Sequence, residues 1–133
     1  MAKMHIDYKG GWRLEAKSRD HSITIDLPPQ MKGGDSGMTP PELCVASLAS
    51  CVGMYVLMCC NAQNVPTEGL KIEATYEDAP EKPARIRAIN VDITMPAGVA
   101  EEQRRPLMHM AHQCKVHNSI CETPEITMRL FES

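Results

Sequence analysis

The chain has 133 residues, enough for one domain with a substantial core, and residues 1–133 read as a single domain. Its 14 basic and 17 acidic residues are mixed along the sequence, giving a net charge of −3 with no basic stripe, and one Trp, three Tyr and one Phe offer little to stack on bases. That composition argues against a nucleic-acid partner. The opening stretch MAKMHIDYKGGW lacks the apolar run of a signal peptide, which predicts a cytoplasmic protein whose six cysteines are reduced thiols rather than a disulfide framework.

In chain order, KMHIDYKGGWRLEAK carries a Gly-Gly pair between two short alternating runs and predicts a hairpin. Asp20 to Leu27 alternates Ile23, Ile25 and Leu27 against polar neighbours, as a half-buried strand does. PPQMKGGDSGM then breaks regular structure. It lacks the Gly-Lys-Ser/Thr ending of a phosphate loop and reads as a flexible connection.

Thr39 to Ala62, TPPELCVASLASCVGMYVLMCCNA, is the dominant segment. Thr39 and Glu42 stand three apart before an apolar run with Pro40 at the first helical position, which predicts a capping box and a helix about 30 Å long. No charged residue occurs between Glu42 and Glu68. A helix apolar on nearly every side must be buried all round or lie in a membrane. Small residues (Ala46, Ser47, Ala49, Ser50, Gly53) and the lack of Lys or Arg at either end favour the core helix of a soluble domain over a membrane span.

Asn64 and Pro66 stop this helix. Leu70 to Glu77 and Arg85 to Met95 follow as an antiparallel strand pair, one presenting Leu70, Ile72, Ala74 and Tyr76 on one face and the other Ile89, Val91, Ile93 and Met95. Ala100 to His112 is a more polar helix that Pro106 should kink, Lys115 to Cys121 a short third helix, and Glu125 to Phe131 a closing strand. The order βββ-α-ββ-α-α-β is α+β, with an antiparallel sheet and segregated helices. One layer of short strands cannot cover a helix that is apolar all round, so a second copy of the chain is expected to do so, as an intimate homodimer.

On a wheel of about 100° per residue, Cys44, Ser47, Leu48, Met54, Tyr55 and Met58 share the side of Cys51, while Cys60 points away. A mid-helix sulfur among Leu and Met reads either as a buried, inert thiol or as a nucleophile. Cys44, Cys59, Cys60 and Cys121 read as packing residues. HMAHQCKVHNSIC invites a zinc reading through its His and Cys residues, although the spacings match no common finger or ribbon. If a helix begins at Lys115, its first amides and dipole would stabilise a thiolate at Cys114, with Lys115 and His117 adding positive charge.

GGDSG, then TPPELCVASLASC ending at Cys51, then Cys114 within HQCKVHNSI, resemble the OsmC/Ohr family of thiol-dependent hydroperoxide reductases. The resemblance spans nearly the whole chain. It implies antiparallel sheets packed around a long central helix in an intertwined homodimer, with an active site at the subunit interface. Cys51 would be the peroxidatic thiolate, Cys114 the thiol that resolves its sulfenic acid to a disulfide, and an external dithiol the reductant. No metal, flavin or haem is implied. Arg19, in SRDHSITID, resembles the family's Arg that stabilises the thiolate and the leaving oxygen. The acid that holds this Arg usually stands where Pro41 stands here; Glu42, one position later, is the alternative, unless it serves only as the capping acid. The function implied is reduction of organic hydroperoxides, and hydrogen peroxide less well, in oxidative-stress defence; apolar residues around Cys51 would favour small apolar peroxides. The alternatives are a non-enzymatic ligand-binding or redox-sensing protein of the same fold, and a His/Cys metal protein.

Overall fold

A computed structural model describes residues 1–133, which form two compact units, Met1–Val45 and Ala46–Ser133. In the first unit β1 (His5–Tyr8), β2 (Leu14–Ser18) and β3 (His21–Ile25) make an antiparallel meander. Its register pairs Tyr8 with Leu14 and Ser18 with His21. Gly10 and Gly11 sit at φ +99° and +57° in the β1–β2 turn, a conformation in which a Cβ would be strained.

The Gly-rich segment after β3 differs from its reading as a flexible connection. Asp26 is 3% exposed, and its carboxylate accepts from the Leu27 amide (2.7 Å), the Ser36 amide (3.1 Å) and the Ser36 hydroxyl (2.6 Å). One carboxylate thereby ties the two ends of the loop together. Its charged form is so well solvated by these donors that its pKa is lowered to about 2, the Ser36 hydroxyl bond being the largest cause. A Cβ on Gly33 would run into the backbone of Leu27, and one on Gly37 into the carbonyl of Thr24, so both glycines permit close backbone approach. Met38 then bridges Ile25 in parallel, and α1 (Pro40–Gln63) begins. The expected capping box forms: the Thr39 amide donates to Glu42 Oε1 at 2.9 Å and the Glu42 amide to Thr39 Oγ1 at 3.3 Å.

The second unit contains α1 from Ala46, the antiparallel pair β4 (Lys71–Asp78) and β5 (Ile86–Thr94), α2 (Glu101–Ala111) and α3 (Lys115–Cys121). Asn64, at φ +56°, and the Val65 amide bonded to the Cys60 carbonyl at 2.8 Å close the end of α1 as a left-handed cap. Leu48, Val52, Val56, Cys59 and Cys60 of α1 build the core with Leu107 and Ala111 of α2 and with Cys114. Ile89, Val91 and Ile93, alternate residues on one face of β5, pack against this cluster. A fully buried aliphatic side chain such as Val56 contributes about 1.5–3 kcal/mol relative to exposure. A Cβ on Gly53 would lie 3.3 Å from Cγ1 of Ile72, so the glycine lets β4 approach the helix closely.

One expectation is corrected. The alternating segment Glu125 to Phe131 forms no strand: it has no partner strand within the chain, and Ile126, Met128 and Leu130 are exposed. A strand exists through its ladder, which alternation of residues does not supply. Helix α1 leaves Ser47, Ser50, Met54 and Met58 as an exposed stripe, in line with the expectation that one layer of short strands cannot cover it. Tyr76 shares a sequence face with Ile72 and Ala74 but is exposed near the end of β4. Helix α2 runs through Pro106 as one element, the ring lying in its exposed surface.

Candidate active site: two thiols at the start of a short helix

The site forms where mid-α1 meets the first turn of α3. Cys51 is partly buried, one residue before Val52 of the core and beside the exposed stripe of Ser47, Ser50 and Met54. Cys114 is fully buried and is the residue at which α3 starts, with φ −54° and ψ 125°. Its sulfur accepts from the amide of His117 at 3.3 Å, the bond an N-cap side chain makes. The two thiols, far apart in sequence, lie close enough in the fold for each to shift the acidity of the other.

Their environments push them in opposite directions. Burial raises the pKa of Cys51, but the Cys114 thiol and the backbone amides of Val116 and Lys115 donate to its sulfur and outweigh that, so the Cys51 thiol ionises more readily than usual. Burial also raises the pKa of Cys114, and the bond to Cys51 together with the repulsion of a second negative sulfur adds to it; the His117 and Val116 amides offset only part. The first negative charge on the pair therefore resides on Cys51, with Cys114 as its protonated donor. The start of α3 serves both sulfurs, but at Cys114 burial and the neighbouring Cys51 outweigh its amides. The amide bonds to Cys51 come from Lys115 and Val116, whose side chains carry no signal of the role; their position directly after a capping residue is the only one.

Glu42 and Arg19 lie in the Met1–Val45 unit. The Glu42 carboxylate is engaged by the Thr39 amide and hydroxyl, which hold its pKa below the usual range. Arg19 occupies the tip of the β2–β3 turn at φ +53°, exposed, and forms no ion pair with Glu42. Pro41 is exposed in the first turn of α1. The remaining cysteines divide by burial: Cys59 and Cys60 are packing residues in the core as expected, whereas Cys44 and Cys121 are exposed and lie outside the core, with the Cys121 sulfur 3.5 Å from Nε2 of His117. His109 and His112 are exposed on α2 and just past its end. No group of three or more His, Cys, Asp or Glu side chains is arranged to hold a metal ion.

The fold is that of several solved structures. A candidate osmotic stress induced and detoxification response protein from Psychrobacter arcticus 273-4 superposes with a TM-score of 0.81 at 23% identity over 90% of this chain and 88% of that one. An OsmC-like protein from Mycoplasma pneumoniae gives 0.78 at 16% identity over 92% and 89%. The organic hydroperoxide resistance protein OhrB of Bacillus subtilis gives 0.64 at 20% identity over 92% of each chain. No curated protein sequence matches. The family model described as OsmC-like protein matches residues 33–129, from the Gly-rich loop through both thiols, and the chain belongs to the OsmC-like protein family.

Proposed function

We propose that this chain is a thiol peroxidase that reduces organic hydroperoxides, and hydrogen peroxide less well, through Cys51 and Cys114. The observation that carries the reading is the pair of neighbouring thiols at the start of α3, whose acidities are pushed in opposite directions. A nucleophile must be a thiolate at working pH, and a second thiol must be near enough to stop over-oxidation. The Cys51 thiolate attacks the O–O bond; an S–O bond forms, the O–O bond breaks, and the alkoxide takes a proton to leave as an alcohol. Cys51 is then a sulfenic acid. The Cys114 sulfur attacks it, an S–S bond forms, and water departs. An external dithiol reduces the disulfide by exchange and is itself oxidised to a disulfide.

The partly exposed Cys51 lies beside the uncovered stripe of Ser47, Ser50, Met54 and Met58. A second copy of the chain covers that stripe in a cytoplasmic homodimer and completes the wall of the peroxide site. Arg19 is assigned to the leaving oxygen. Glu42, already engaged by Thr39, does not hold it.

The test counts free thiols before and after one equivalent of cumene hydroperoxide and maps any new disulfide by peptide mass. Rapid loss of two thiols as a Cys51–Cys114 link supports the proposal. In turnover assays Cys51→Ser is inactive, while Cys114→Ser accumulates a sulfenic acid at Cys51. Slow, scattered oxidation of several cysteines instead favours the non-enzymatic, ligand-binding reading. That reading draws on the engagement of Glu42, which leaves Arg19 without an acid to hold it.

A further inference from the structure

Within the first unit, the β1–β2 turn and the Gly-rich loop after β3 enclose a pocket of about 400 Å³. Lys9, Trp12 and Arg13 of the turn line it together with Lys32 of the loop, and none of the residues assigned to peroxide reduction does. All four side chains are open to solvent, so a ligand reaches them without any movement of the fold. The three cations are poorly neutralised. Arg13 and Lys32 form no ion pair, and Lys9 lies 3.8 Å from a Glu15 carboxylate that Lys17 holds more closely, at 3.2 Å. One Arg13 nitrogen donates to the Lys9 carbonyl at 3.2 Å, which fixes the guanidinium at the turn and leaves its other N–H groups without a protein partner. Asp26 is the only acid in the wall. It is buried, and its oxygens are already engaged by Leu27, Gly34 and Ser36. A chain of net charge −3 thus presents a locally positive pocket. Beside these cations stands Trp12, the single tryptophan of the chain, 61% exposed.

We propose that this pocket binds a small aromatic phosphate monoester, its phosphate held by Arg13 and Lys32 and its ring stacked on Trp12. The volume falls within the range of small-molecule sites, about 300–1,000 Å³. The charge selects the anion. A phosphate monoester carries about −1.5 to −2 near neutral pH, which matches two unpaired cations, and its oxygens accept from a guanidinium fork and an ammonium at once. A carboxylate brings a single charge and leaves one of the two cations unmatched. Lys9, only partly neutralised, adds to the field without being needed for contact. The exposed indole selects the ring, because a flat π-system stacks on it and an alkyl group does not. Binding requires no thiol chemistry and is independent of the peroxidase proposal.

The probes are phenyl phosphate, inorganic phosphate and phenol, which separate the anion from the ring. Calorimetry on the intact protein is expected to show saturable phenyl phosphate binding, about tenfold tighter than inorganic phosphate through the stacked ring and about tenfold tighter than phenol through the charged hydrogen bonds. Fluorescence locates the ligand, since emission excited at the tryptophan band comes from Trp12 alone and should change along the same isotherm. Lys32→Gly removes one cation at a position whose φ of +65° suits glycine, and is expected to weaken phenyl phosphate about tenfold with the fold intact. Arg13→Gln is expected to do the same, and Trp12→Leu to bring phenyl phosphate down to the affinity of inorganic phosphate. Should either of these two fail to fold, Lys32→Gly and the wild-type emission decide alone. No saturable binding, or inorganic phosphate or phenol binding as tightly as phenyl phosphate, overturns the proposal. Unmoved Trp12 emission with ligand bound, or full affinity in Lys32→Gly, does so as well.

Discussion

Lys115→Pro isolates the amide contribution to Cys51. Lys115 is the first residue of α3, where proline is the favoured residue because the amide it lacks has no partner inside the helix. Cys114 precedes it at ψ 125°, an extended conformation that a following proline permits. The substitution therefore spares the helix and deletes one of the two backbone donors to the Cys51 sulfur. A hydrogen bond to a charged acceptor is worth about 1.5–3 kcal/mol, and because Cys51 is partly exposed, water recovers some of it; the low end, about 1.4 kcal/mol, is a tenfold change in ionisation. Lys115→Ala is the reference, since it removes the same side-chain charge and keeps the amide. Pulse alkylation with iodoacetamide across a pH series, read on the Cys51 peptide by mass, gives the thiolate fraction. At neutral pH the proline variant should react about tenfold more slowly than the alanine variant, and the two should converge at high pH, where both are ionised. Superimposable profiles would mean that the α3 amides do not set the acidity of Cys51.

Other perturbations test the frame around the site. Asp26, with a pKa near 2 against an ordinary 3.8, stabilises the fold fully above pH 3.8 and loses that contribution as pH falls toward 2. Asp26→Asn should be less stable at neutral pH and show a flatter acid limb in denaturation followed by circular dichroism; a parallel acid limb refutes the loop-tying role. Gly37→Ala drives a methyl into the Thr24 carbonyl and should cost about 1–3 kcal/mol in urea denaturation. Val56→Ala removes the equivalent of two methylenes at a fully buried position, about 1.6 kcal/mol before the cavity term and about 2–3 kcal/mol with it, with an unchanged m-value.

Features encoded over a few neighbouring residues were legible in the sequence. The Thr39–Glu42 box, the Gly10–Gly11 turn and the start of α3 at Lys115 each depend on residues three or four apart, and all three form. The pairing of Cys51 with Cys114 was legible only through the family resemblance, because nothing local to either cysteine announces the other. Asp26 and Ser36 lie ten residues apart, and no periodicity or motif distinguishes their bond from the many carboxylate–hydroxyl pairs a chain of this length contains. Alternation in Ile126, Met128 and Leu130 was read as a strand, yet it encodes a face and not the neighbour that would pair with it. Pattern also failed to separate Cys59 and Cys60 from Cys44 and Cys121, because exposure is decided by what packs over the residue.

The distribution of sulfur gives the protein an internal clock for its own opening. Cys60 is fully buried and Cys59 nearly so, side by side on the covered face of α1, whereas Cys44 and Cys121 face solvent. A membrane-permeant thiol reagent thus marks the latter two at once, while the core pair acquires label only in the moments when α1 separates from β5 and α2. The labelling rate of Cys60 at low reagent then counts those excursions in the intact, unperturbed chain, and in the cell as readily as in a cuvette.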